Sequence, residues 1–157
     1  MKILSKQKNS RMCMICGLDN EYGVNAPFYN MEDGSVMTVF RYKEQHQSYP
    51  GRVHGGMITA MLDEMGLRSL WAKELSEETF GVTISLDTKY RKPVPYETEL
   101  IGRGVVVKNT SHFIITDSYI MDKDGEILAN GRIKYIKMDT QKIQEGVEVH
   151  EEMPYLV

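Results

Sequence analysis

Residues 49–71 read YPGRVHGGMITAMLDEMGLRSLW, and the fold of the chain turns on them. From Met57 to about Glu74 there is no proline, and most residues are good helix formers. Apolar side chains fall on nearly every side of that helix: Met57, Ile58, Met61, Leu62, Met65, Leu67, Leu70 and Trp71. A helix that is apolar all round is buried, so the rest of the chain must wrap it. His54-Gly55-Gly56 stands at its start.

Downstream lie four runs rich in β-formers: Thr79–Arg91, Thr98–Lys108, Ser111–Met121 and Glu126–Lys137. The last alternates, with Ile127, Ala129, Gly131, Ile133 and Tyr135 on one side. Lys108-Asn109-Thr110 and Asp122-Lys123-Asp124-Gly125 are short connections, so these runs read as an antiparallel meander. Upstream, Val24–Asn30 and Ser35–Lys43 flank Met31-Glu32-Asp33-Gly34, a hairpin signal, and Glu44–Arg52 is a loop. The expected fold class is α+β, one long central helix wrapped by one antiparallel β-sheet. Residues 1–157 read as a single domain, with a loose arm or short helix at 1–12 and a polar, flexible tail at 138–157. A lone sheet leaves one face and one edge to be covered, so a homo-oligomer is expected.

A chain of 157 residues that is 41% hydrophobic and 26% charged has a core, which excludes disordered, collagen-like and rod-like classes. A net charge of 19 − 22 = −3 gives no reason to expect nucleic acid. No apolar run approaches the roughly 18 residues that cross a membrane, and the N-terminal lysines are followed by no apolar secretory segment. Two closely spaced cysteines suit a reducing compartment, so the expected location is the cytoplasm.

Three features in and before the helix carry chemistry. The backbone N–H groups at Gly55-Gly56 lack partners within the helix and sit at its positive end. They suit a carbonyl oxygen that becomes an oxyanion; the plain alternative is a tight turn into the helix. Asp63 shares a stripe with Gly56, Thr59, Gly66 and Leu70, while Arg68 lies on nearly the opposite side. A carboxylate so placed is paired elsewhere, has a raised pKa, or lines a polar pocket. Glu64, about 100° round the helix, reads as solvated or at an interface. His54 reads as orienting the loop by hydrogen bonds. Cys13-x-x-Cys16 could be half a zinc site, but His46, His54, His112 and His150 show no ligand spacing. The expectation is therefore a packed leader with buried thiols, no metal and no cofactor.

His54-Gly55-Gly56 followed by Leu62-Asp63 resembles the hotdog-fold thioesterases of the HGG type. Gly81–Pro95, GVTISLDTKYRKPVP, is similar to that family's second core strand and its proline-bearing end. Cys13-x-x-Cys16-Gly17, with Gly23 and Gly34, is similar to a subgroup with a cysteine-containing leader. The resemblance runs from about Cys13 to Lys137. It implies a hotdog fold built as a dimer or a dimer of dimers, hydrolysing an acyl-CoA or related thioester at the dimer interface. It implies that Gly55 and Gly56 donate N–H groups to the thioester carbonyl. Asp63 would be general base or nucleophile, and His54 would hold the loop. A strand hydroxyl, here Thr83 where relatives often carry serine, would position the water or the aspartate. In a regular strand Ser85 and Asp87 share the face of Thr83. Some relatives place an amide in the loop before HGG, and Gln47 and Ser48 are the nearest polar residues here. The phosphates of CoA need cations at the site mouth, for which Lys89, Arg91, Lys92 and Arg103 are candidates. The alternative function is a non-catalytic acyl-CoA binding or sensor module. A hydratase ranks lower, because His54 belongs to the HGG turn.

Overall fold

The computed structural model describes residues 1–74 and 79–138. One 20-residue helix, α1 (Gly55–Glu74), lies on a seven-stranded antiparallel sheet. The strands are β1 (Ile3–Lys6), β2 (Tyr29–Met31), β3 (Val36–Phe40), β4 (Phe80–Tyr90), β5 (Leu100–Asn109), β6 (Phe113–Met121) and β7 (Ile127–Met138). Their spatial order is β1-β2-β3-β5-β6-β7-β4. This is the expected helix wrapped by a sheet. Ile58, Met61, Leu62, Met65 and Leu70 are buried against Val36, Leu100, Ile114, Ile120 and Ile133 from the strands.

The helix lies close to the sheet because small residues line the contact. A Cβ at Gly104 of β5 would fall 2.4 Å from the Met65 carbonyl oxygen. A Cβ at Gly66 would fall 2.1 Å from the Tyr135 hydroxyl. Both hairpin glycines adopt the left-handed conformation their turns require, with φ of 76° at Gly34 and 82° at Gly125.

Three local expectations are corrected. Residues 3–6 are neither a loose arm nor a helix: Ile3, Ser5 and Lys6 pair with Met31, Asn30 and Tyr29 of β2. The pairing partner lies more than twenty residues away, and nothing local in a polar segment shows it. Next, Val24–Phe28 is not a strand of the hairpin. Val24 and Ala26 donate their N–H groups to Met14 and Ile15, and the Phe28 carbonyl accepts from Gln7, so this segment bonds to the leader. Finally, Ser85 and Asp87 do not share the face of Thr83. A bulge between Thr83 and Ser85 puts Thr83 opposite Tyr135, Ser85 opposite Lys134 and Asp87 opposite Arg132. The extra residue flips the alternation, leaving Thr83, Leu86, Thr88 and Tyr90 on the helix side.

Strand β4 ends the sheet, with β7 on one side only. It is long and largely exposed, and it shows Val82 and Ile84 to solvent. Among the described residues no helix is long and apolar enough to cross a membrane. Apart from Met138, the expected tail lies outside the described residues.

Candidate active site

Asp63 sits in the third turn of α1, half-buried beneath β4. The Thr83 hydroxyl bridges its carboxylate, 2.9 Å from Oδ1 and 3.1 Å from Oδ2. The buried Tyr135 hydroxyl donates to the Asp63 backbone carbonyl at 2.7 Å. That bond needs a hydroxyl against the helix backbone, which the absent side chain of Gly66 permits. Burial pushes the Asp63 carboxyl above the usual range, the hydroxyls of Thr83 and Tyr135 partly offset this, and the charge of Glu64 adds to it. Asp63 makes no ion pair among the described residues. Of the outcomes read from sequence, pairing with a cation is not seen among the described residues, and burial favours the raised pKa.

Glu64 is partly solvated, its side chain 25% exposed, and it is also ion-paired. Its Oε1 accepts from Arg68 Nε at 2.7 Å, one turn along the helix. Arg68 is only 3% exposed, so the guanidinium end of the pair is shielded from water.

At the other end, the loop before α1 is held by two histidines. His46 is buried. Its Nδ1 accepts from the Lys43 N–H at 3.0 Å, so its Nε2 donates to the Tyr22 carbonyl at 2.7 Å. Its own carbonyl accepts the His54 N–H at 2.8 Å. His54 Nδ1 accepts the Gly56 N–H at 2.9 Å and caps the helix. The two glycine N–H groups are therefore not equivalent. That of Gly56 is taken by His54, and that of Gly55 has no hydrogen-bond partner among the described residues. The Tyr90 hydroxyl donates to the Gly55 carbonyl at 3.1 Å and accepts from Thr59 at 2.7 Å. A Cβ at Gly55 would lie 3.3 Å from that hydroxyl. Gln47 and Ser48 are exposed, and their backbone closes the loop: Gln47 bridges Val53, and the Ser48 N–H donates to the Arg52 carbonyl.

Beside Gly55 opens a groove of about 440 Å³, walled by Val53, Ile58, Tyr90 and Val94, with Arg52, Arg91 and Lys92 along it. Arg91 Nε donates to Asn130 at 2.6 Å, and Lys92 pairs with Glu126. The other two candidate cations lie elsewhere. Lys89 lines a pit of about 250 Å³ on the outer face of the sheet, with Asp87, Asp117 and Arg132. Arg103 projects from β5 to Asp33 Oδ2 at 2.5 Å. The structure thus brings Arg91 and Lys92 to the glycine end of the helix and leaves Lys89 and Arg103 away from it. Sequence reasoning missed Arg52, Tyr90 and Tyr135. An arginine two residues before His54 was a usable signal for the first. No local pattern marks a tyrosine that reaches across a sheet.

Comparison with known proteins bears on the family and the fold. Residues 50–129 match the family model of the thioesterase superfamily. A rat acyl-coenzyme A thioesterase, THEM4, is 25% identical over 140 residues, covering 88% of this chain and 57% of that protein. The chain thus spans little more than half the length of this relative. A crystal structure of a thioesterase superfamily protein superposes with a TM-score of 0.71 at 26% identity, covering 80% of this chain and 63% of that one. A thioesterase from Streptococcus pneumoniae solved with coenzyme A superposes with a TM-score of 0.62 at 20% identity, covering 73% of this chain and 87% of that one, a likeness of fold.

Proposed function

The chain belongs to the thioesterase superfamily, and from that premise we propose that it hydrolyses an acyl-CoA or related thioester at a site shared by two copies of the chain. One observation carries the reading. A half-buried carboxylate with a raised pKa is held on both oxygens by a hydroxyl and has no cation partner among the described residues. A pure binding site gains little from such a group beside a thioester; hydrolysis needs a base or nucleophile there.

The two-chain site follows from a length. Gly55 and Asp63 are 8 residues apart on one helix, about 12 Å along its axis at roughly 1.5 Å per residue. An oxyanion donor reaches about 3 Å and a base acting through one water about 6 Å. One chain therefore cannot polarise a carbonyl with Gly55 and attack it with Asp63. The free edge of β4 offers the solution. Along β4, Thr83 lies by Asp63 and Tyr90 by Gly55. A two-fold axis between Leu86 and Asp87 would pair two β4 strands antiparallel. It would set the Thr83–Asp63 end of one chain against the Tyr90–Gly55 end of the other. Two sites result, each with a donor from one chain and a carboxylate from the other.

In this mechanism the Gly55 N–H, at the positive end of α1, polarises the thioester carbonyl. His54 fixes the loop by taking the Gly56 N–H. Asp63 removes a proton from the attacking water, or attacks the carbonyl itself and is released by water in a second step. Thr83 holds the carboxylate in position. Arg91 and Lys92, with Arg52, offer charge to the phosphates of the carrier along the groove.

The test is thiol release from acyl-CoAs running from acetyl to palmitoyl and aromatic chains, with wild type and Asp63→Asn. Hydrolysis by wild type and a loss of at least about 100-fold in kcat in the variant, with the fold kept, are expected. Release undiminished in Asp63→Asn would refute the role of Asp63. Saturable acyl-CoA binding without release, from a folded oligomer, would favour the binding module instead.

A further inference from the structure

The leader contains a cluster for which the proposed hydrolysis has no use. Cys13 Sγ, Cys16 Sγ and a Glu64 carboxylate oxygen all lie within 4.8 Å of one another. Cys13-Met14-Ile15-Cys16-Gly17 forms one tight turn, closed by the Gly17 N–H on the Cys13 carbonyl at 2.8 Å. Within it the N–H groups of Ile15 and Cys16 both point at Cys13 Sγ, at 3.3 and 3.4 Å. Ser10 Oγ accepts the Cys13 N–H at 3.2 Å, which leaves its hydroxyl proton to face Cys16 Sγ at 3.4 Å. Each sulfur therefore faces hydrogen-bond donors. Donors aimed at sulfur favour the thiolate; an inert buried thiol sits among apolar groups instead.

The third group is equally prepared. Glu64 Oε1 is pinned by Arg68, while Oε2 faces Cys13 Sγ at 3.9 Å. Arg68 is held in turn by Gln7 Oε1 and the Lys8 carbonyl, each at 3.1 Å, and stacks 4.3 Å above the Phe28 ring. A carboxylate with one oxygen fixed by a buried cation and the other turned to two sulfurs has the outer support that metal ligands need. The 3.9 Å between Cys13 Sγ and Glu64 Oε2 is close to what a tetrahedral zinc site asks. Zinc bonds of about 2.3 Å to sulfur and about 2.1 Å to oxygen place tetrahedral ligands about 3.6–3.8 Å apart.

We propose that Cys13, Cys16 and Glu64 bind a divalent metal ion of zinc type, with water in the fourth position, and so tie the leader to the third turn of α1. Binding joins the two sulfurs and one carboxylate oxygen to the metal, and the thiol protons they carry leave to solvent. Two thiolates and one carboxylate, against a divalent ion and the Arg68 guanidinium, leave the cluster neutral. The sequence hid this site because its third ligand comes from the helix, forty-eight residues after Cys16.

The test uses the reduced, metal-stripped protein titrated with Co²⁺ alone. One equivalent should raise a thiolate-to-cobalt charge-transfer band in the near ultraviolet, and one equivalent of Zn²⁺ should bleach it. Glu64→Gln should weaken the affinity at least about 10-fold, and Cys16→Ser should abolish the band. The idea is overturned if reduced wild type shows no charge-transfer band, or if Glu64→Gln binds Co²⁺ as tightly as wild type. These readouts do not involve thioester hydrolysis, so the two proposals stand or fall separately.

Discussion

Replacing Gly66 by alanine tests the packing that places the candidate carboxylate. In an unconstrained helix this change stabilises by about 1 kcal/mol. Here the new methyl would lie 2.1 Å from the Tyr135 hydroxyl and 2.6 Å from Thr116 Oγ1. Overpacking of this kind costs about 1–3 kcal/mol. Driving Tyr135 away also breaks its 2.7 Å bond to the Asp63 carbonyl, worth about 1 kcal/mol. The propensity gain and the lost bond nearly cancel, which leaves a net loss of about 2 kcal/mol. For a domain of this size that lowers Tm by about 4–8 °C. Calorimetry at one fixed protein concentration reads it, because an oligomer's Tm varies with concentration. The variant should also lose activity, since Asp63 shifts with its backbone. Gly66→Ala combined with Tyr135→Phe removes the nearest clashing atom. The pair should cost at least about 0.5 kcal/mol less than the sum of the single changes. A Gly66→Ala protein as stable as wild type, or strict additivity in the double variant, would refute the reasoning.

Thr83→Val removes the hydroxyl that bridges both carboxylate oxygens and should lower kcat about 10–100-fold, the worth of one hydrogen bond to a charged group; Thr83→Ser should retain most of the activity in the same thiol-release assay. Arg91→Ala with Lys92→Ala should raise KM for acyl-CoA with little change in kcat, and should leave KM for a pantetheine thioester, which lacks the nucleotide phosphates, unaltered. Ile84→Glu, at the open edge of β4, should dissociate the oligomer in sedimentation velocity and abolish hydrolysis together, if donor and base come from different chains. The Asp33 carboxyl is held below its ordinary pKa by Ser35 first and Arg103 next. Its contribution to stability is therefore present above the unfolded pKa near 4 and lost as pH falls through the lower folded value. Urea midpoints of wild type and Asp33→Asn should differ at pH 6 and converge towards pH 2.

Much of the site was legible because it is written in contiguous residues. A helix apolar on all sides must be buried, and the strand runs around it supply the wrapping. An aspartate in that helix without an intrahelical cation has few physical outcomes, and the raised pKa of Asp63 is one of those foreseen. The role of His54 was also readable, since a side chain two residues before a glycine N–H at a helix start can cap it. Even here one detail escaped. Only the coordinates separate the Gly56 N–H, which His54 occupies, from that of Gly55.

Tertiary structure decided the features that depend on residues far apart in sequence. Strand β1 exists because β2 pairs with it, although its four residues are all exposed. The bulge after Thr83 reverses the alternation of β4 and sends Asp87 and Lys89 to the outer face, away from the groove, which no period-two reading foresees. Glu64 looks like a surface residue from its helical position alone. Its environment comes from Arg68, Gln7 and Cys13, brought together by the leader folding against the helix. The sequence by itself determined α1 and strands β3 to β7, because hydrophobic period and backbone preference are local properties. It determined the identity of the candidate carboxylate for the same reason. Edges, faces and the partners of buried charges were decided only by the tertiary structure, because each is a property of two segments at once.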